Sequence, residues 1–77
     1  MALITDAATG WSSPITLATD EIWQTRKGSV FVSTTPSPAV DDGLALHEFH
    51  AVQLSAGSVV SYRKEGAGDA LIVREGI

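Results

Sequence analysis

The chain is predicted to be all-β, a small antiparallel sandwich or barrel, and three observations carry that prediction. Short runs of alternating or β-branched residues recur about every ten residues. Each run is closed by glycine, proline or a turn-forming polar residue. No segment repeats its apolar residues at the helical period. The runs are residues 15–18, 21–26, 29–34, 44–54 (read as two strands in succession), 58–64 and 70–75.

Residues 1–14 stand apart, rich in Ala, Thr, Ser and Gly with apolar spots at Leu3-Ile4 and Trp11. They are read as an extended N-terminal arm or an edge strand ahead of a single β domain over 15–77. A solvated tail would seldom keep a tryptophan, so Trp11 is expected to dock. After Pro14, residues 15–18 alternate apolar and polar side chains, and Thr19-Asp20 supply turn chemistry for a hairpin with residues 21–26. Lys27-Gly28 turns the chain again and residues 29–34 return as a β-branched strand. There Val30 and Val32 share one face and Phe31 takes the other, which suits a strand covered on both sides, or on one side and by a partner subunit.

Residues 35–43 form a loop, because Pro36 and Pro38 cannot donate to a ladder and Asp42-Gly43 is a turn signal. Asp41 and Asp42 lack the series of oxygen ligands that a hard cation requires and are read as turn residues. His47 to His50 bend the chain between two strands, and Ser55-Ala56-Gly57 is the next turn. In residues 58–64, Val60 and Tyr62 share one face, with Val59, Ser61 and Arg63 on the other. Residues 65–69 read as a glycine-rich hairpin turn, and 70–74 as a near-continuous apolar strand central to its sheet.

At 77 residues the chain supports one thin-cored domain, and its lack of cysteine removes disulfides, thiolate zinc sites and cysteine nucleophiles together. Oligomerisation is the remaining remedy for a small core. A net charge of −4, with lysines and arginines scattered, argues against a nucleic-acid surface. No stretch of about 20 apolar residues exists to span a membrane, and the first residues lack the pattern of a signal peptide. Synthesis as a soluble cytoplasmic protein, without nucleic-acid or membrane partners, is expected.

No constellation points to catalysis. His47 and His50 face opposite ways on a strand unless a bend reunites them, and with Glu48 they make only a minimal ligand set. The His pair and the later turn at residues 54–57 resemble the cupin pattern, but the spacing is His-x-x-His and no third histidine follows, so this resemblance implies no catalysis. No Gly-x-Ser-x-Gly elbow is present, and Gly66-x-Gly68 lies between strands rather than before a helix. Arg63 and Arg74 could hold an anion if they were neighbours, although pairing with Glu21, Glu65 or Glu75 is the commoner fate. The chain is therefore expected to be a non-enzyme, with no catalytic, cofactor or metal residues.

Residues 19–30, the proline-rich loop after them, residues 51–57 and residues 62–66 resemble small all-β structural proteins of tailed bacteriophages and gene transfer agents, of the head-spike, fibre-base or decoration type. That resemblance implies a virion structural protein, a homo-oligomer with a trimer favoured, which meets other particle proteins and is incorporated into a phage-like particle. Leu3, Ile4, Trp11, Trp23, Val30, Phe31 and Val32 are the candidate interface residues. The competing expectation is a carbohydrate-type binding module stacking sugars on Trp11, Trp23 and Tyr62.

Overall fold

The described residues form eight strands: β1 (Ala2–Ile4), β2 (Ile15–Thr16), β3 (Glu21–Lys27), β4 (Val30–Ser33), β5 (Leu44–Leu46), β6 (Ala51–Leu54), β7 (Val59–Lys64) and β8 (Leu71–Gly76). The computed structural model describes residues 2–39 and 41–77, so Met1 of the expected arm and Val40 of the expected loop lie outside the described residues. The strands form two antiparallel sheets of four, in the orders β1-β8-β3-β6 and β2-β7-β4-β5. The expected all-β sandwich is what the chain forms.

The topology reduces to one long hairpin. Pairing is β1 with β8, β2 with β7, β3 with β6 and β4 with β5, so the two halves of the chain run back along each other. Partner numbers sum to 76 at Ala2↔Arg74, 75 at Ile15↔Val60, 75 at Glu21↔Leu54 and 76 at Val30↔Leu46. The register is thus preserved from end to end, through every link between strands. This hairpin is rolled up, its successive pairs falling in alternate sheets, and β3–β8 and β4–β7 contacts close the roll. That is the jelly-roll arrangement.

Rolling overturns three expected hairpins. Thr19-Asp20, Lys27-Gly28 and residues 65–69 each lead from one sheet to the other, and β4–β5 is the one pair joined directly by its connecting loop. Asp20 does not close a hairpin: its carboxylate accepts from the Ala56 N–H at 2.8 Å, and its carbonyl accepts from the Ile77 N–H at 3.0 Å. Gly28 has φ 73°, and a Cβ there would stand 2.6 Å from the Asp69 carbonyl oxygen. Bare backbone is needed because the 27–28 and 65–69 corners touch.

Between the sheets lie Ile4, Leu17, Trp23, Val30, Val32, Leu46, Leu54, Val60, Tyr62 and Ile72. Trp23 is wholly buried and meets the Tyr62 ring edge-on, centroids 6.0 Å apart. The free arm is not seen. Ala2–Ile4 form the edge strand beside β8 and Ile4 enters the core, because an apolar residue gains more by filling the open end of the roll than by remaining solvated. Farther on, Lys64 donates its N–H to the Ala8 carbonyl and Ser12 donates to the Tyr62 carbonyl, each at 2.8 Å, which tacks residues 8–12 along the edge of β7. β8 lies between β1 and β3, central as its apolar run requires.

Candidate assembly interface

The seven candidate interface residues divide by the pleat. Ile4, Trp23, Val30 and Val32 point into the core of their own chain, at 7%, 0%, 1% and 2% exposure, and no partner can reach them in the folded state. Alternation explains the correction: the two-sided apolar character of β4 puts the valines inside, and only Phe31 outside. Leu3 remains on the surface at 53% exposure.

Trp11 and Phe31 lie on the outer face of the β2-β7-β4-β5 sheet, which the chain covers with its own segments. The Arg63 guanidinium stands 4.3 Å from the Phe31 ring centroid and 5.4 Å from that of Trp11. The Trp11 indole N–H donates to the Ala39 carbonyl at 2.8 Å, joining the N-terminal segment to the loop after β4. That loop is held by the Asp42 carboxylate, which accepts from the Ala39 N–H at 2.8 Å, the expected turn role of this aspartate. Beneath these segments Ser33 and Ser61 are buried. A groove of about 430 Å³ remains between Trp11, Pro14, Pro36 and Pro38, and no charged side chain lines it.

The outer face of the β1-β8-β3-β6 sheet has no such cover. β3 turns Ile22, Gln24 and Arg26 outward, β8 turns Leu71, Val73 and Glu75 outward, and β1 adds Leu3 beside Val73. Ile22, Leu3 and Phe49 are exposed at 42%, 53% and 63%. Val73 is the floor of a groove of about 470 Å³ walled by Leu3, Leu71, Phe49 and Arg26; it is buried, yet it is not part of the cluster between the sheets. The register slips between Thr25 and Lys27, so Arg26 is the extra residue of a β-bulge aimed over this groove. Phe49 adopts φ 68°, a left-handed conformation unusual for a bulky side chain. Its N–H donates to the Thr25 carbonyl, and the Phe49 carbonyl accepts from the Gln24 side-chain amide at 3.1 Å, which fix the ring above the sheet edge.

The other expected chemistry is absorbed locally. The bend brings His47 and His50 together, ring centroids 5.6 Å apart. His47 Nδ1 shares a hydrogen bond with the Ser29 hydroxyl at 3.0 Å, and His50 Nδ1 accepts from the His47 N–H at 3.3 Å. No group of three or more metal-ligating side chains forms among the described residues. Arg63 and Arg74 stand on different sheets and make no joint anion site. Arg74 forks onto Glu21 at 2.9 and 3.0 Å, and Glu21 also accepts from the Trp23 indole at 2.9 Å. The Arg74 hydrogen bond holds the Glu21 carboxyl below its ordinary range despite partial burial. Burial, with a 2.7 Å hydrogen bond donated to Asp6, pushes the Tyr62 phenol up to about 12.

A sugar-stacking platform is not assembled. Trp23 and Tyr62 lie in the core, and Trp11 is occupied by Arg63 and Ala39. Among the described residues no helix is long and apolar enough to cross a membrane. In comparisons with protein-family models, curated proteins and solved structures, nothing matches this chain.

Proposed function

We propose that the protein is a non-enzymatic structural subunit that works by assembly, and that it serves as a structural or attachment component of a phage-like particle. One observation carries the reading: the chain lays its own segments over much of one outer face of its sandwich, where Val59 stays 41% exposed, and leaves the wider apolar group of Leu3, Ile22, Phe49 and Leu71 on the other face without cover. Apolar area on that face stabilises the molecule only when something buries it, by about 25 cal/mol per Å². A small core without disulfides gains from such burial. The jelly roll is used in viral capsids as well as in lectin domains and cupins, so it is compatible with the particle setting.

Light scattering on the purified chain at tens of micromolar tests the assembly reading. A stable oligomer is expected, and Leu3→Asp is expected to shift it toward monomer while the β circular-dichroism signal is kept. A native monomer at every concentration would overturn the reading. Antibody labelling of purified particles tests the setting.

A further inference from the structure

We propose that the outer face of the β1-β8-β3-β6 sheet packs against the same face of a second copy of this chain. The two-fold axis crosses the strands near Val73 and sets Arg26 of each copy beside the partner subunit's Glu75. This rests on the assembly reading and adds the partner and the symmetry.

The outward residues fall into three rows across the sheet. The middle row is Leu3, Val73 and Gln24, which are register partners on β1, β8 and β3. One end row holds Glu75 beside Ile22; the other holds Arg26 with Leu71 and Phe49. Arg26 lies two residues from Gln24, and Glu75 lies two from Val73, so the opposite charges stand about 7 Å to either side of the middle row. The register slip also sets Lys27 beside Leu71, where it is paired with Asp69, so Arg26 and Glu75 are the outward charged residues of β3 and β8 that the ion pairs among the described residues leave unused.

An axis lying in the contact plane and crossing the strands reverses strand direction in the second copy. The Arg26 end of one face then covers the Glu75 end of the other, twice over. The residual sideways offset is one strand spacing, about 4.8 Å, which an arginine side chain spans. Leaving the strand directions parallel would put Arg26 over Arg26 and Glu75 over Glu75. The face is thus complementary to itself in one of its two aligned orientations and repulsive in the other.

Size agrees with this partner. The molecule measures 31 × 25 × 17 Å, and the stacking of two sheets accounts for the thin dimension. Its broad face therefore offers a footprint of up to about 800 Å², the area each partner contributes to a standard interface. Phe49 points the same way. Hydrogen bonds to Thr25 and Gln24 hold its left-handed backbone, yet the ring stays 63% exposed, and a second copy would cover it. A three-fold ring, by contrast, requires two different complementary patches.

Charge exchange tests the contact on the full chain. R26E alone and E75R alone each place two like-charged pairs in the interface, and each is expected to weaken the dimer at least about tenfold. An equimolar mixture of the two variants restores two opposite pairs and should return to twice the 8.1 kDa monomer mass in light scattering. Circular dichroism of both variants should match the native spectrum, since both positions are exposed. A native dimer indifferent to either exchange, a mixture that stays monomeric, or a native trimer would overturn this contact and leave the assembly reading standing. A native monomer would overturn both.

Discussion

Glu21 carries three interactions at the end of the sandwich, the Arg74 fork and the Trp23 indole, with only 13% of its side chain exposed. Replacing it by Ala leaves a part-buried guanidinium and an indole N–H without their acceptor, at a cost of about 2 kcal/mol in urea denaturation. Its lowered pKa fixes the sign of the pH effect: the stabilisation is complete above the ordinary value of 4.5 and is lost as pH falls through the lower folded value. Glu21→Gln should flatten that acid limb. Tyr62 works at the other extreme, because a phenol raised to about 12 in the folded state stabilises fully below its ordinary 10.0 and ceases to do so as pH rises toward 12. As Tyr62 is the one tyrosine, absorbance at 295 nm reads its titration directly. A midpoint near 10 in the folded protein would contradict the burial and the Asp6 bond.

The corners between strands are where local chemistry decides the roll. Gly28 and Gly57 both have positive φ, 73° and 85°, but a Cβ at Gly28 meets the Asp69 carbonyl at 2.6 Å and one at Gly57 meets nothing within 4 Å. Gly57→Ala should therefore cost about 1 kcal/mol of backbone strain, and Gly28→Ala distinctly more, about 2 to 4 kcal/mol, because the 65–69 corner must also move. Equal losses in denaturant midpoint would mean that the two corners do not press on each other. The strands themselves were legible from alternation, and so was the bend at residues 47–50. The sheet each strand joins was not legible. Thr19-Asp20 or Lys27-Gly28 reads the same whether the chain doubles back beside itself or crosses to the facing sheet, since turn residues report a change of direction and not a partner. The candidate site shows the same limit. Leu3 is legible because it sits in a polar segment; Phe31, which interrupts two valines, does point outward, but on the other sheet and against Arg63. Arg26, Leu71 and Val73 were missed, since an unbroken apolar run does not reveal which of its faces stays outside. Phe49, a large apolar residue among polar turn residues, was the one signal that could have drawn notice.

For the molecule as a whole, the N-terminal segment is a structural part rather than an attachment. Ile4 fills the core, Asp6 receives the Tyr62 hydroxyl, and Ala8 and Ser12 bond the edge of β7. Deleting residues 1–14 is expected to abolish the β signal in circular dichroism at 25 °C; a shortened chain that keeps it would show that β3 to β8 stand alone. The register makes folding non-local as well. Partners such as Ala2 and Arg74 meet across nearly the full chain, so refolding should fall in the millisecond-to-second range of high-contact-order β domains rather than in microseconds. Stopped-flow tryptophan fluorescence, which follows the burial of Trp23, measures this.

The nearly constant sum of partner numbers also fixes how the molecule bears tension. Ala2 on the edge strand and Arg74 on the strand beside it are register partners, so a pull between them opens this pair like a zip. Bonds are then loaded in succession, the weak geometry for an antiparallel pair. A pull normal to the broad face instead distributes the load over a whole sheet. A subunit built this way resists force best when it is gripped by its face and not by its ends.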